Sequence, residues 1–280
     1  MIYQDIIEQG VIERALLEDL GQGDLTVDHL PLLHQSKSTA YIRSRAEIVV
    51  SGLSVAQAVF RAVDAAIVFE PLVKDGQAVS KNQALARVTG VTASLLKAER
   101  TALNFMQHLS GIATCTRAFV DKIHGTPAQL VHTRKTTPGL RMLERQAVLD
   151  GGGALHRFNL GSAVMLKDNH LTKISIHQAV KTLRQKVGHT VTIEVEADTL
   201  SQVELALEAG ADIIMLDNMT PEEVRQALAV IGDKAKTEAS GNLSLETIRA
   251  YAETGVQYLS TSRITLGAPA VDIGLDFEAG

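Results

Sequence analysis

Two patterns of apolar and polar residues alternate along the second half of this 280-residue chain. Short apolar runs that end in polar residues are typical of buried strands, whereas apolar residues spaced three or four apart are typical of amphipathic helices. The strand pattern occurs six times, mostly with helical segments between, and predicts a parallel α/β barrel whose active site lies where the strands end. Since eight strands are usual, we expect an incomplete barrel of about seven. The runs begin at Gln129, Ala163, Val191, Ala211, Ala235 and Val256.

Helices are predicted between these runs from the spacing of their apolar residues and from glycines at their ends. The pattern indicates helices at Leu200–Ala209, Pro221–Ile231 and Leu245–Thr254. A further helix is expected to start near Pro138, because proline suits a first helical turn, and to stop at the glycines 151–153.

Side chains alternate between the two faces of a strand, and this alternation constrains where charged residues point. The run VTIEVEAD places Glu194 and Glu196 on one face and its apolar residues on the other, which predicts a strand with an acidic inner face. Arg134 and Lys135 follow an apolar run and cannot both point inward from a strand. We therefore expect the chain to turn into a loop there.

The first hundred residues have a different pattern, which indicates a second domain. A helix is predicted at Met1–Asp19, and residues 37–88 alternate like antiparallel strands around a helix at Leu53–Val63. A long helix is expected at Ser94–Ile112. The predicted organisation is an α/β domain at 1–110, joined by the tail 270–280, and a barrel domain at 111–269.

Composition narrows the class of protein. A hydrophobic content of 45% is typical of a globular chain, and the net charge of −5 argues against a nucleic-acid partner. The single cysteine, Cys115, excludes an internal disulfide framework and a multi-cysteine metal site. The chain has neither a basic start nor an apolar run long enough for a signal peptide or membrane span, so a cytoplasmic location is expected.

A cluster of cations lies around the triple glycine at 151–153. Each cation taken alone has an ordinary interpretation as a solvated surface residue or, for histidine, a structural group. Together, at the ends of two predicted buried strands, they indicate a site for an anionic ligand. The cluster consists of Arg134, Lys135, His156, Arg157 and Lys167.

Ordered motifs through nearly the whole chain resemble those of the quinolinate phosphoribosyltransferases, also called carboxylating nicotinate-nucleotide pyrophosphorylases. The resemblance implies an open-faced α/β sandwich followed by an incomplete, roughly seven-stranded parallel α/β barrel. It also implies a homodimer in which the N-terminal domain of one subunit covers the barrel of the other, so that the active site is shared. The motifs are EDLGQGDLT, ERTALNFMQHLSGIAT, TRKTTPGLR, GGGALHRFNL, LKDNH, EVEAD, MLDN and EASGN.

The reaction implied by the resemblance joins quinolinate to the ribose of phosphoribosyl pyrophosphate, releasing pyrophosphate and CO2 and leaving nicotinate mononucleotide. Magnesium is the implied cofactor, held by Glu196 and Asp217 partly through the pyrophosphate. Lys135, Lys167, Glu196 and Asp217 are expected to act in the reaction, and Arg100 is expected to come from the neighbouring subunit. The residues implied to bind substrates are Arg100, Thr133, Arg134, Lys135, His156, Arg157, Lys167, Glu196, Asp217, Ser240, Gly241, Asn242, Thr261, Ser262 and Arg263.

Alternatives exist for the acids. Glu194 shares a strand face with Glu196 and is a second candidate at the metal site. These acids could instead form ion pairs with Lys167 or Arg157 inside the barrel.

Two loops expected to bind phosphate depart from the family pattern. Asn242 is often glycine in relatives, and Ser262 stands where the family has glycine. The Ser262 hydroxyl and the Arg263 guanidinium add possible phosphate partners.

Two other functions fit parts of the pattern. One is a paralogous phosphoribosyltransferase with another acceptor, such as the family associated with molybdenum transport. The other is a non-catalytic sensor of a phosphate ligand. The retained HR and LKDN segments argue against the first, and the retained acids and lysines argue against the second.

Overall fold

The computed structural model describes the backbone of residues 2–278 and the side chains of residues 9–278. Met1 of the predicted first helix and the last two residues of the tail therefore lie outside the described residues. The helices are α1 (Ile2–Leu20), α2 (Pro31–Gln35), α3 (Leu53–Val63), α4 (Thr92–Ile123), α5 (Arg141–Asp150), α6 (Ile176–Lys186), α7 (Leu200–Glu208), α8 (Pro221–Ile231) and α9 (Ile248–Ala252). The strands are β1 (Lys37–Ser44), β2 (Ile48–Val49), β3 (Val68–Pro71), β4 (Ala78–Val79), β5 (Ala84–Val91), β6 (Gln129–Val131), β7 (Val164–Leu166), β8 (Ile193–Ala197), β9 (Ile213–Asp217), β10 (Lys236–Ser240), β11 (Tyr258–Ser260) and β12 (Ile273–Phe277).

The chain divides into two compact units. The first contains the residues up to Arg117, the segment Thr136–Gly152 and the residues from Thr265 onward, and the second contains Ala118–Lys135 and Gly153–Ile264. The boundary was expected at residue 110, whereas the two units divide after Arg117; both positions lie within α4. The segment that contains α5 groups with the first unit.

The first unit contains an antiparallel sheet of strand order β12-β1-β5-β3. Strands β2 and β4 form a separate two-stranded sheet. The predicted helix at Leu53–Val63 is confirmed as α3, and its buried face includes Val59 and Phe60. Their 0% exposure shows that this helix contributes to the core of the unit. The predicted antiparallel N-terminal sheet is therefore confirmed.

Helix α4 runs for 32 residues, 11 beyond the predicted end at Ile112. The buried residues Ala113, Thr116, Phe119 and Ile123 continue the apolar spacing of three and four residues past that point. The helix ends before Gly125, whose φ of 82° is left-handed. Such a residue commonly follows a helix because glycine adopts this backbone conformation without strain.

The second unit is a parallel sheet of strand order β6-β11-β10-β9-β8-β7. A parallel bridge between Val131 and Ala154 adds a seventh, single-residue strand position beside β6. The predicted C-terminal incomplete α/β barrel is confirmed, and the predicted helix at Pro221–Ile231 matches α8 residue for residue.

Two further helix predictions differ from the structure in their bounds, and helix α6 was missed. The helix expected near Pro138 begins at Arg141, because Gly139 has a φ of 84° and belongs to a turn. Helix α9 covers only part of the predicted range Leu245–Thr254. The first residues of that range form a turn, in which the Ser244 N–H donates to Thr247 Oγ1 (3.0 Å). Helix α6 was not predicted, although its buried residues Ile176, Ala179 and Val180 follow helical spacing. Among the described residues, no helix combines the length and apolar character that a bilayer span requires.

Candidate active site

The alternation of side chains along each strand places the candidate site on one face of the parallel sheet. On β9, Ile214 and Leu216 are fully buried, whereas Met215 and Asp217 point the other way into a cavity. The same alternation on β8 buries Val195 and directs Glu196 into the cavity. Polar residues at the carboxyl ends of neighbouring strands are thereby brought together, as expected at the active rim of such a barrel.

The cavity has a volume of about 380 Å³. It brings together all five residues of the predicted cation cluster and both acids of the predicted metal site. Four residues that the sequence did not single out, Met165, Met215, Glu238 and Ser260, also face it. Its lining residues are Thr133, Arg134, Lys135, His156, Arg157, Met165, Lys167, Glu196, Met215, Asp217, Glu238, Ser240 and Ser260.

A turn directly after β6 carries three lining residues. Strand β6 ends at Val131, and the backbone N–H of Lys135 donates to Thr133 Oγ1 (3.0 Å). This local bond lets both Arg134 and Lys135 reach the cavity, which the strict alternation of a strand would prevent. The loop predicted at this place is therefore confirmed.

Arg157 is held from two sides. Its guanidinium donates to the backbone oxygen of Ala163 (3.1 Å) and to the sulfur of Met165 (3.3 Å). Burial, together with the nearby charge of Arg134, lowers the pKa of Arg157. Two guanidinium groups that repel one another in a partly buried cavity favour the binding of an anion between or beside them.

Lys167 and Glu196 form an ion pair within the cavity. The pair matches the alternative role considered for the acids, in which they neutralise a barrel cation. Glu194, the second candidate, is not among the cavity-lining residues and is 2% exposed. Strand β8 thus directs one acid to the cavity and buries the other.

The loops after β9 and β10 are joined by asparagine side chains. Asn218 donates through Nδ2 to Asp217 Oδ2 (2.8 Å), and its backbone N–H donates to the oxygen of Ser240 (3.1 Å). Asn242 Nδ2 lies 3.4 Å from Asn218 Oδ1. Gly241 has a φ of 88°, so this part of the loop needs a residue that tolerates the left-handed region.

Several predicted site residues do not line this cavity. Gly241 and Asn242 lie in the loop after β10, directly beyond the lining residue Ser240. The other loop residues, Thr261, Ser262 and Arg263, follow the lining residue Ser260, and Thr261 Oγ1 donates to the oxygen of Leu243 (3.4 Å). Arg100 is an exposed residue of α4 in the first unit.

The residues that face the cavity fit a magnesium ion by their chemistry. Glu196 and Asp217 project from neighbouring strands, whose pairing sets Glu196 opposite Met215. Mg²⁺ prefers carboxylate oxygens, water and substrate phosphates, and is usually held by one or two carboxylates. The two acids supply that number on one side of the cavity.

Comparisons with known proteins agree over nearly the whole chain. The family models described as quinolinate phosphoribosyl transferase, N-terminal domain and C-terminal domain, match residues 24–110 and 112–276. A Bacillus subtilis relative named probable nicotinate-nucleotide pyrophosphorylase [carboxylating] is 40% identical over 267 residues, covering 95% of this chain and 92% of the relative.

Two solved structures of nicotinate-nucleotide pyrophosphorylases are similar in fold. The protein from Francisella tularensis has a TM-score of 0.92 at 35% identity, covering 98% of this chain and 97% of its own. The protein from Ehrlichia chaffeensis has a TM-score of 0.92 at 40% identity, covering 96% of this chain and 98% of its own.

A parallel α/β barrel with cations and acids at the carboxyl ends of its strands is typical of enzymes that act on anionic, phosphate-bearing substrates. The similarity in sequence and structure makes the class more specific. The chain belongs to the quinolinate phosphoribosyltransferase family.

Proposed function

We propose that this protein transfers the phosphoribosyl group of phosphoribosyl pyrophosphate to quinolinate, with loss of CO2, and forms nicotinate mononucleotide and pyrophosphate. The observation that carries the proposal is the cavity in which a cation cluster and two acids meet at the strand ends. Names of the relatives, which specify carboxylating or decarboxylating chemistry, support this activity over a paralogous acceptor or a non-catalytic sensor.

The acceptor is matched by the cations. Quinolinate carries two carboxylates, and guanidinium groups bind carboxylates through two parallel hydrogen bonds, while lysine acts as a point charge. We assign Arg134, Arg157, His156 and Lys167 to these carboxylates. Lys167 must then share its charge between Glu196 and the ligand, because the two side chains already form an ion pair.

The acids and loops are assigned to the phosphoribosyl donor. Glu196 and Asp217 would hold Mg²⁺, which neutralises charge on the leaving pyrophosphate when bound. Lys135 lies beside the phosphoryl groups in this assignment. The loop residues assigned to the ribose phosphate and its surroundings are Thr133, Ser240, Gly241, Asn242, Thr261, Ser262 and Arg263.

The proposed reaction needs no nucleophilic side chain. The quinolinate nitrogen bonds to the anomeric carbon of the ribose as the bond to pyrophosphate breaks. The resulting pyridinium then accepts the electron pair of the adjacent carbon–carboxylate bond as CO2 leaves, and that carbon takes up a proton. Catalysis rests on orientation of the two substrates and on electrostatic stabilisation of the charge that develops.

Product formation tests the proposal directly. Purified protein is incubated with phosphoribosyl pyrophosphate, Mg²⁺ and either quinolinate or nicotinate, and products are identified by mass spectrometry. We expect nicotinate mononucleotide from quinolinate alone, and none when Mg²⁺ is removed with a chelator. Folded protein that makes no product from quinolinate would contradict the proposed activity, and product from nicotinate would contradict the assigned acceptor.

We further propose that the protein is a homodimer whose active site is completed by Arg100 of the partner subunit. The proposal predicts that inactive Arg100→Ala and Asp217→Asn subunits complement one another. After mixing and subunit exchange, about a quarter of the active sites should be intact, because half of the dimers are mixed and each has one complete site. Activity that stays at the level of the separate variants would contradict a shared site, and Glu222→Gln mixed with Asp217→Asn is the control for exchange alone.

A further inference from the structure

His156 lies between two buried glutamates that none of the assignments above uses. Its Nε2 is 3.4 Å from an oxygen of Glu194 on β8 and 3.3 Å from an oxygen of Glu238 on β10. Glu194 and Glu238 are 2% and 3% exposed. The second oxygen of each carboxylate has no hydrogen-bond partner among the described residues.

Burying two carboxylates beside one imidazole is costly for the fold. A carboxylate loses hydration in a protein interior, and one imidazole balances at most one of the two charges. The neighbouring strand β9 shows the cheaper solution, since Met215, which pairs with Glu238 on one side and Glu196 on the other, occupies an inward position with an apolar side chain. A cost of this size at the edge of a binding cavity points to a role other than packing.

The contacts fix the protonation of one ring nitrogen. The backbone N–H of Arg157 donates to His156 Nδ1 (2.6 Å), which favours a neutral ring with its proton on Nε2. Burial opposes a charge on the ring, whereas the carboxylates of Glu194 and Glu238 favour one and raise the pKa of His156. In both the neutral and the charged ring, Nε2 carries a proton and donates toward the two carboxylates.

The same contacts link the ring to the next residue, Arg157. The Nδ1 bond to the Arg157 N–H and the Nε2 contacts to the glutamates hold the imidazole at opposite sides. The other charged groups that act on this cluster are the guanidinium of Arg157, which acts on Glu194, and that of Arg134, which acts on Arg157. Movement of the ring would therefore disturb the cations assigned to the acceptor.

We propose that Glu194 and Glu238 are positioning residues for recognition of the acceptor: by accepting from His156 Nε2 they fix the ring, and with it the backbone of Arg157, in the cavity. This inference rests on the proposed function, because the acceptor is quinolinate. It predicts that loss of either carboxylate weakens quinolinate binding and leaves binding of phosphoribosyl pyrophosphate unchanged.

A double-mutant cycle tests whether the glutamates act through His156. We expect Glu238→Gln to raise KM for quinolinate about tenfold or more, because the hydrogen bond from His156 loses its charged acceptor. KM for phosphoribosyl pyrophosphate should stay within about twofold. In a His156→Ala background the same Glu238→Gln change should have no effect on KM for quinolinate. Glu222→Gln on α8, an exposed glutamate paired with Arg225, is the matched control for loss of one carboxylate.

Two further measurements separate positioning from folding. Glu194→Gln is made in parallel with the same criteria, so that failure of one variant to fold leaves the other to decide. In protein labelled with ¹⁵N-histidine, the His156 signal is identified by its loss in His156→Ala. It should report a proton on Nε2 in the wild type and partial loss of the proton from Nε2 in either glutamine variant.

The possible failures are distinguishable. Wild-type protein that makes no product overturns the proposed function. With active wild type, either of two results overturns the positioning role alone: KM values that change equally for both substrates, or a Glu238→Gln effect that persists without His156.

Discussion

Replacing Arg157 by alanine is expected to lower kcat/KM for quinolinate by about 100-fold or more, because the substrate carboxylate loses its charge-assisted bonds to a half-buried guanidinium. The remaining cations cannot move into its place, since Lys167 is paired with Glu196 and Arg134 lies in a turn after β6. The effect should appear in KM for quinolinate, with KM for phosphoribosyl pyrophosphate within about threefold. Steady-state kinetics at saturating phosphoribosyl pyrophosphate measures it.

Arg157→Lys is the matched control for this change. It keeps the charge and loses the planar pair of donors, so an intermediate loss of about tenfold is expected if two-point recognition matters. Arg157 also donates to the backbone oxygen of Ala163, and thermal unfolding of both variants is needed to exclude a collapsed cavity. A kcat/KM for quinolinate in Arg157→Ala within about twofold of the wild-type value would remove Arg157 from the acceptor site.

The repeating strand pattern allowed much of the fold to be predicted. The alternation of apolar and acidic residues along VTIEVEAD predicted that its acids would lie inside the barrel, and Glu196 does line the cavity. The same alternation required a loop at Arg134 and Lys135, because both could not point inward from a strand. Strand β6 indeed ends before both residues. These predictions succeeded because burial of one strand face leaves the chain no freedom over where the alternate residues point.

Glu238 could have been predicted from the same rule. It stands two residues before Ser240 on β10 and shares its face, but the site prediction covered only the residues at the end of this strand. No sequence pattern could have predicted that Glu238 and Glu194 contact the same histidine. This contact depends on strands β8 and β10 being separated by one strand, and on the place at which the chain returns after the triple glycine.

Loop geometry and helix ends were the parts that spacing could not predict. Pro138 fits a first helical turn, yet the left-handed Gly139 delays α5 to Arg141. The grouping of Thr136–Gly152 with the first unit likewise depends on long-range packing: the exposed fraction of Glu144 is 0%, and its carboxylate accepts from His108 Nε2 (2.8 Å). No local periodicity carries such a contact.

Gly241→Ala is the second substitution for which we expect a large effect. A Cβ atom at Gly241 would lie 2.3 Å from Asn218 Oδ1 and 2.7 Å from the Asn218 backbone nitrogen, and the φ of 88° is unfavourable for alanine. The clash with backbone cannot be relieved by a rotamer change, so the loop after β9 or the loop after β10 must shift. Since Asn218 also donates to Asp217, the shift reaches both the phosphate loop and the proposed metal ligand.

We expect Gly241→Ala to raise KM for phosphoribosyl pyrophosphate about 10-fold to 100-fold, because the displaced backbone N–H groups of the loop can no longer donate to the phosphate. Gly255→Ala is the matched control: its φ of 96° imposes the same backbone strain, but no atom lies within 4 Å of its Cβ position. Comparing the two variants in unfolding and kinetics separates strain from the clash. Equal KM values for phosphoribosyl pyrophosphate in both variants would show that the Ser240–Asn242 loop does not bind the donor, and phosphate recognition would then have to rest on the loop after β11.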